Sequence, residues 1–207
     1  MTHAMTQTNQ EMAAYFDRCA DQGLMREFTE EERGKLDGLF AQWGLQPGER
    51  VLEPGCGSGR LTAELARAVG PQGEVVACDL SEKMLQIARD RRLPAQARFV
   101  QKSVVDLQCA DDWFDAVICL NVFPHFAEPE RTLREFARVL KPGGRLWVNH
   151  LMGSRRLSQL HRDAGREVSR HTLPLETQMR RLMNSAGFRI EHFIDCDEQY
   201  ALGARLA

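Results

Sequence analysis

The sequence predicts an α/β protein: a doubly wound, mostly parallel seven-stranded sheet with one antiparallel strand, and helices on both faces. Two observations predict it. From Arg50 onward, short apolar runs rich in β-branched residues alternate with segments of helical periodicity, the βαβ rhythm of a parallel sheet. Near the end, two such runs are separated only by Cys196-Asp197-Glu198. That connection is too short for a crossover helix, so these strands pair antiparallel as a hairpin. With 207 residues, 43% of them hydrophobic, the chain can bury one sizeable core. Residues 1–45 read as an N-terminal helical cap of the same domain, and residues 46–207 as its body.

The elements follow in order. Met1 to Gln10 is polar and aperiodic and reads as a loose tail leading into a short helix near Met12 to Cys19. Thr29 and Glu32 have capping-box spacing, and Leu36, Leu39, Phe40 and Trp43 then share one helical face, which predicts a helix from about Thr29 to Trp43. Buried parallel strands are predicted at Val51-Leu52-Glu53, Glu74 to Asp79, Arg98 to Gln101, Phe114 to Leu120 and Arg145 to Asn149. Helical stripes lie between them: Leu61, Leu65, Ala68 and Val69; Met84, Leu85 and Ala88; Leu133, Phe136, Ala137 and Leu140. Leu175, Met179, Leu182, Met183 and Ala186 form a last stripe that Gly187 can end, followed by strands at Phe188 to Asp195 and Gln199 to Arg205. Leu151 to Leu173 is polar and weakly patterned and reads as a lid or substrate loop.

Bulk properties exclude several function classes. A net charge of -2 offers no general attraction to nucleic acid or anionic membranes. The basic runs Arg89 to Arg92, Arg155-Arg156 and Arg180-Arg181 lack interleaved aromatic residues and read as solvated surface. The six cysteines form no C-x-x-C pair, so neither a disulfide scaffold nor a zinc site is indicated. No leader-like segment and no apolar run of about 18 residues is present, so a cytoplasmic location is expected.

The most informative segment is Glu53-Pro54-Gly55-Cys56-Gly57-Ser58-Gly59, which joins a strand to a helix. Alternate glycines clear side chains from a sharp turn where a ligand can meet the backbone, and amides at a helix start can bind a polar or anionic group. The spacing departs from the G-x-G-x-x-G of nicotinamide-binding turns. Asp79, ending the second strand, is placed to accept hydrogen bonds from both hydroxyls of a ribose, while Ser81 suits the cap of the next helix.

The turn resembles motif I of the class I S-adenosylmethionine-dependent methyltransferases, of the type 11 or ubiquinone-biosynthesis-like group with a Rossmann-like fold. The resemblance runs on through Asp79-Leu80-Ser81 with Met84-Leu85, Phe114-Asp115-Ala116-Val117, Leu140-Lys141-Pro142-Gly143-Gly144-Arg145-Leu146 and Ala186-Gly187-Phe188. It covers about Val51 to Arg205 and implies S-adenosylmethionine as cofactor, S-adenosylhomocysteine as product and a small-molecule methyl acceptor. Glu53, Gly55, Gly57 and Gly59 would hold the methionyl part, Asp79 the ribose, and Leu80 and Met84 the adenosine. Where the family has G-D-A this chain has Lys102-Ser103-Val104, so adenine contact falls to the Ser103 hydroxyl and the Val104 amide, with Asp106 as a substitute acid. Asn121, at the end of the fourth strand, joins the cofactor-binding set; the absence of adjacent prolines after it argues against a nucleobase or amide acceptor.

Methyl transfer from a sulfonium needs alignment and exclusion of water more than a dedicated catalyst. A hydroxyl, thiol or protonated amine acceptor benefits from a base, and His125 and His150, beyond the fourth and fifth strands, are the candidates. His161 and His171 read as solvated or packing residues, and no metal site is expected. An S-adenosylmethionine-binding regulatory or scaffold module without turnover is the competing reading, and a nicotinamide oxidoreductase a third.

Overall fold

A computed structural model describes residues 7–207, so the expected tail at Met1 to Thr6 lies outside the described residues. The chain forms two compact units, one ending at Gln108 and the other running from Cys109 to Ala207.

The first unit comprises α1 (Gln7–Asp21), α2 (Glu30–Trp43), β1 (Arg50–Pro54), α3 (Arg60–Val69), β2 (Glu74–Asp79), α4 (Glu82–Asp90) and β3 (Ala97–Gln101). Helix α1 starts earlier than periodicity predicts, taking in Gln7 to Gln10. Its buried residues are only Met12, Cys19 and Ala20, too few to register as a stripe. The capping box of α2 is complete: the Thr29 hydroxyl accepts the Glu32 amide at 3.2 Å and the Glu32 carboxylate accepts the Thr29 amide at 2.8 Å. Leu36, Leu39 and Trp43 are buried on the α2 face that the spacing selects. β1 pairs in parallel with β2, and β2 with β3; β1 and β2 are apolar almost throughout, as strands covered on both faces must be.

The second unit comprises β4 (Phe114–Leu120), a 3-10 turn at Phe123–His125, α5 (Pro129–Val139), β5 (Leu140–His150), α6 (Ser154–Ala164), α7 (Glu176–Ser185), β6 (Phe188–Cys196) and β7 (Gln199–Leu206). β4 and β5 are parallel, and β7 is the reversed strand, antiparallel to both β5 and β6. The seven strands make a mostly parallel sheet with helices around it, ordered β3-β2-β1 in the first unit and β4-β5-β7-β6 in the second.

Three expectations are corrected in this unit. β5 begins at Leu140, not Arg145, because Leu140 already pairs with Phe114 before a register shift lets Lys141 to Gly144 bulge out. The segment from Leu151 to Leu173 is not a loop: it contains the eleven-residue helix α6. Only Leu157 and His161 are buried on α6, so the sequence shows almost no apolar stripe. Leu175 precedes α7 and is 71% exposed, while Met179 and Met183 supply the buried face.

The start of α6 is fixed from below. A Cβ on Gly153 would lie 1.8 Å from the Cys196 carbonyl oxygen, so only glycine fits. The Asp195 carboxylate accepts the Ser154 amide at 2.9 Å and the Ser154 hydroxyl at 2.6 Å.

Candidate active site

The turn after β1 is shaped by three left-handed glycines, Gly55 (φ 67°), Gly57 (φ 52°) and Gly59 (φ 74°). Their missing side chains do different work. Nothing lies within 4 Å of a Cβ built on Gly57, so the space over the turn is open there, whereas a Cβ on Gly59 would stand 2.9 Å from the Ala88 Cβ. Gly59 thus lets α4 approach the turn. Most of the turn's amides are engaged inside the protein. The Cys78 carbonyl accepts from Gly55 at 2.7 Å and Cys56 at 3.1 Å, and the Asp79 carboxylate accepts from Gly57 at 2.8 Å.

Asp79 therefore faces the turn. Its other oxygen accepts the Ser81 amide at 2.9 Å, leaving lone pairs for further donors. Burial raises the Asp79 pKa, opposed by the backbone amides that favour the ionised form. Glu53, 3% exposed, accepts the Thr62 hydroxyl at 2.6 Å. Desolvation pushes its carboxyl up to about 8, with the Thr62 bond acting the other way and the Asp79 charge adding to the rise. An added cation would recover the Glu53 carboxylate.

The remaining candidates of the first unit are placed as follows. Ser81 caps α4 through the Met84 amide, and its own hydroxyl donates to Asp17 of α1 at 2.5 Å. Met84 is 1% exposed and packs with Cys19 and Ala20 of α1, a core position. Leu85 packs with Cys56 and Ala77. Leu80 is half-buried. Ser103 precedes a 3-10 turn whose Val104 is buried, and Asp106 closes that turn through its amide on the Ser103 carbonyl.

In the second unit, Asn121 adopts a left-handed φ of 57° and ties two strand ends together. Its amide donates to the Asn149 carbonyl at 2.9 Å, and its Oδ1 accepts the Leu151 amide at 3.1 Å. His125 and His150 are joined by two histidines that sequence reasoning set aside as solvated or packing residues. His161, 7% exposed, and His150, 2% exposed, are buried. The His125 and His171 Nδ1 atoms lie 2.9 Å apart, and the His161 and His171 rings each lie 5.1 Å from the His125 ring. His161 Nδ1 contacts the His171 carbonyl. Burial depresses His125 and His150 to about 3, with neighbouring imidazoles adding to the fall, and lowers His171. Neither ring nitrogen of His150 nor the Tyr200 hydroxyl has a hydrogen-bond partner among the described residues. These two residues are cross-strand partners on β5 and β7. No group of three His, Cys, Asp or Glu side chains among the described residues is placed to hold a metal ion. The one sequence signal for His161 was its spacing four residues after Leu157, both inward on α6.

Comparison with known proteins agrees with this geometry. Residues 52–148 match the methyltransferase domain family. The ubiquinone/menaquinone biosynthesis C-methyltransferase of Vibrio campbellii is 38% identical over 109 residues, 51% of this chain and 42% of that protein; the chain thus spans well under two thirds of that curated relative. The magnesium protoporphyrin IX methyltransferase of Synechocystis, solved with bound S-adenosylmethionine, superposes with a TM-score of 0.70 at 21% identity over 100% of both chains. The cyclase SpnF superposes at 0.76 with 21% identity, over 98% of this chain and 97% of that one. Residues 52–148 are therefore similar in sequence to a methyltransferase domain, and the chain has the fold of the class I S-adenosylmethionine-dependent methyltransferases.

Proposed function

We propose that this protein transfers the methyl group of S-adenosylmethionine to a small-molecule acceptor. The observation that carries the reading is the pairing of Asp79 with the glycine turn: a carboxylate hydrogen-bonded to the Gly57 amide, beside the open space over Gly57. A ribose diol can occupy the lone pairs Asp79 retains. Glu53 supplies a carboxyl to the amino end of the methionyl group, and Gly55 and Gly57 leave the backbone bare for its approach. Ser103, Val104, Leu80 and Asn121 are assigned to the adenosine surroundings, and His125 and His150 to the acceptor.

The domain family and the methyltransferase relative support this chemistry, but the fold alone does not select it, since SpnF is by name a cyclase. Calorimetry with S-adenosylhomocysteine tests the cofactor half: one site per chain is expected, with no heat from NAD. A small-molecule acceptor panel with methyl-tritiated S-adenosylmethionine tests turnover. Binding without label on any acceptor would reduce the protein to a cofactor-binding module.

A further inference from the structure

β7 runs opposite to β5, so its first residues lie at the carboxyl end of β5, the edge where open α/β sheets gather their ligands. There Asp195, Tyr200 and His150 form one row across β6, β7 and β5, each the register partner of the next. Asp195 is engaged by the start of α6, its carboxylate accepting the Ser154 amide and hydroxyl. The other two have nothing comparable. Tyr200 is 0% exposed and His150 2%, yet neither the phenol oxygen nor either imidazole nitrogen has a hydrogen-bond partner among the described residues. Buried polar groups are ordinarily bonded. Apolar side chains would fill the same place without that penalty, and they do so two positions along each strand, where buried Leu202 faces buried Val148.

Packing holds the two rings in place. Tyr200 meets His150 at 6.3 Å and Phe193 at 5.4 Å, with interplanar angles of 85° and 81°, the edge-to-face arrangement that aromatic rings prefer. Arg180 of α7 stacks over Phe193 and is ion-paired with Glu176 at 2.7 Å. We infer that Tyr200, together with His150, binds a hydroxyl group of the methyl acceptor, a role that rests on the methyltransferase reading above.

A hydroxyl is selected by what the pair can give and take. Burial depresses His150 to about 3, and burial raises the Tyr200 phenol with the Asp195 and Glu176 charges adding to the rise, so both groups are neutral near pH 7. A neutral imidazole then offers one N–H and one lone pair, and a phenol donates once and accepts in return. A carboxylate only accepts and an ammonium only donates, so each leaves half of the pair unmet; a hydroxyl does both and can bridge it. Charge points the same way. An anion would enter beside Asp195 and Glu176 while the Arg180 guanidinium is already paired, and a cation would find Asp195 committed to α6. No proton moves in this role: the pair holds and orients the hydroxyl.

Tyr200→Phe removes the phenol oxygen and nothing else. With no bond inside the fold to lose, the variant should unfold in urea at an unchanged or higher midpoint; a midpoint lower by roughly 0.5 M or more would show the oxygen bonded within the protein and overturn the inference. Binding is read from the ring-nitrogen signals of the full chain labelled with 15N-histidine, with His150 identified by its loss in His150→Gln, as benzyl alcohol, benzoate, benzylamine and toluene are each titrated alone at pH 7. Benzyl alcohol should shift the His150 signals, and its affinity should fall roughly tenfold in Tyr200→Phe, the usual effect of one lost hydrogen bond. A stronger response to benzoate or benzylamine, a toluene affinity that falls in parallel, alcohol affinity unchanged in Tyr200→Phe, or a His150 indifferent to all four would overturn it. None of these readings needs a methyl donor. Absence of S-adenosylhomocysteine binding in the unaltered chain would sink the methyltransferase reading and leave the hydroxyl site standing, whereas cofactor binding with a silent His150 would sink the hydroxyl site alone. In the acceptor panel, label should fall on hydroxyl-bearing members and drop about tenfold in Tyr200→Phe at subsaturating acceptor; label confined to members without a hydroxyl would overturn the acceptor class.

Discussion

The glycine turn of the first unit and the histidine cluster of the second are opposite solutions to placing polar groups inside a protein. Around the turn, the acids are answered by donors: half-buried Asp79 by the Gly57 and Ser81 amides, buried Glu53 by Thr62. In the cluster the rings face chiefly one another, and His150 and Tyr200 keep buried polar atoms without hydrogen bonds among the described residues. A satisfied site is preorganised and persists unaided. An unsatisfied one is costly until a ligand or solvent completes it.

The comparison is broken most severely by acid. His125 and His150 have folded pKa values near 3 against about 6.5 for an unfolded histidine. A depressed value means the stabilisation is fully present above the unfolded pKa and is lost as pH falls from about 6.5 towards 3. Each pKa unit is worth about 1.4 kcal/mol, so the pair should cost the fold several kcal/mol by pH 4. In denaturant titrations at each pH, His125→Gln and His150→Gln should each flatten the slope between pH 6 and 4 by about one proton. Slopes unchanged in both variants would mean the rings titrate normally.

Glu53 carries the opposite sign. Its folded pKa is raised to about 8, so its stabilisation is complete below the unfolded value of about 4.3 and lost as pH rises through 8. Glu53→Gln should therefore be more stable than the unaltered chain at pH 9, by on the order of 2 kcal/mol after structural relaxation, and indistinguishable at pH 4. For the same reason, binding S-adenosylhomocysteine at pH 7 should release close to one proton, read as a dependence of the calorimetric heat on buffer ionisation enthalpy.

Smaller effects sharpen the picture. Asp79→Ala should weaken S-adenosylhomocysteine binding by about 1 to 3 kcal/mol; unchanged affinity would reject the ribose assignment. Thr29→Ala removes one half of a complete capping box in the first unit and should cost about 1 kcal/mol in urea unfolding, with the acid slope unaltered.

The first site was legible because its residues are contiguous or end the neighbouring strand: Glu53 to Gly59 is one run, and Asp79 closes β2. Even there, the sequence did not separate the glycine that opens space, Gly57, from the one that seats α4, Gly59, nor show that Met84 faces α1. β1, β2 and β4 were readable because buried parallel strands are apolar almost throughout; β3, expected to be buried, has no buried residue, and β5 hid its first residues behind Pro142 and two glycines. The second site was only half readable. His150 ends β5 and His125 closes the 3-10 turn after β4, but His161 lies on a helix with two buried positions and no apolar stripe to announce it, and His171 in the segment that follows. Their proximity is a tertiary fact with no local period.

Gly153 has a consequence for how this chain can be altered. The Cys196 carbonyl occupies the place of its side chain, and Asp195 holds the next residue. The tip of the terminal hairpin and the histidine-bearing stretch after β5 are thus a matched pair of parts. Grafting residues 154–175 from a relative with different acceptor chemistry would require importing that relative's hairpin as well, since one half without the other would leave helix and hairpin out of register.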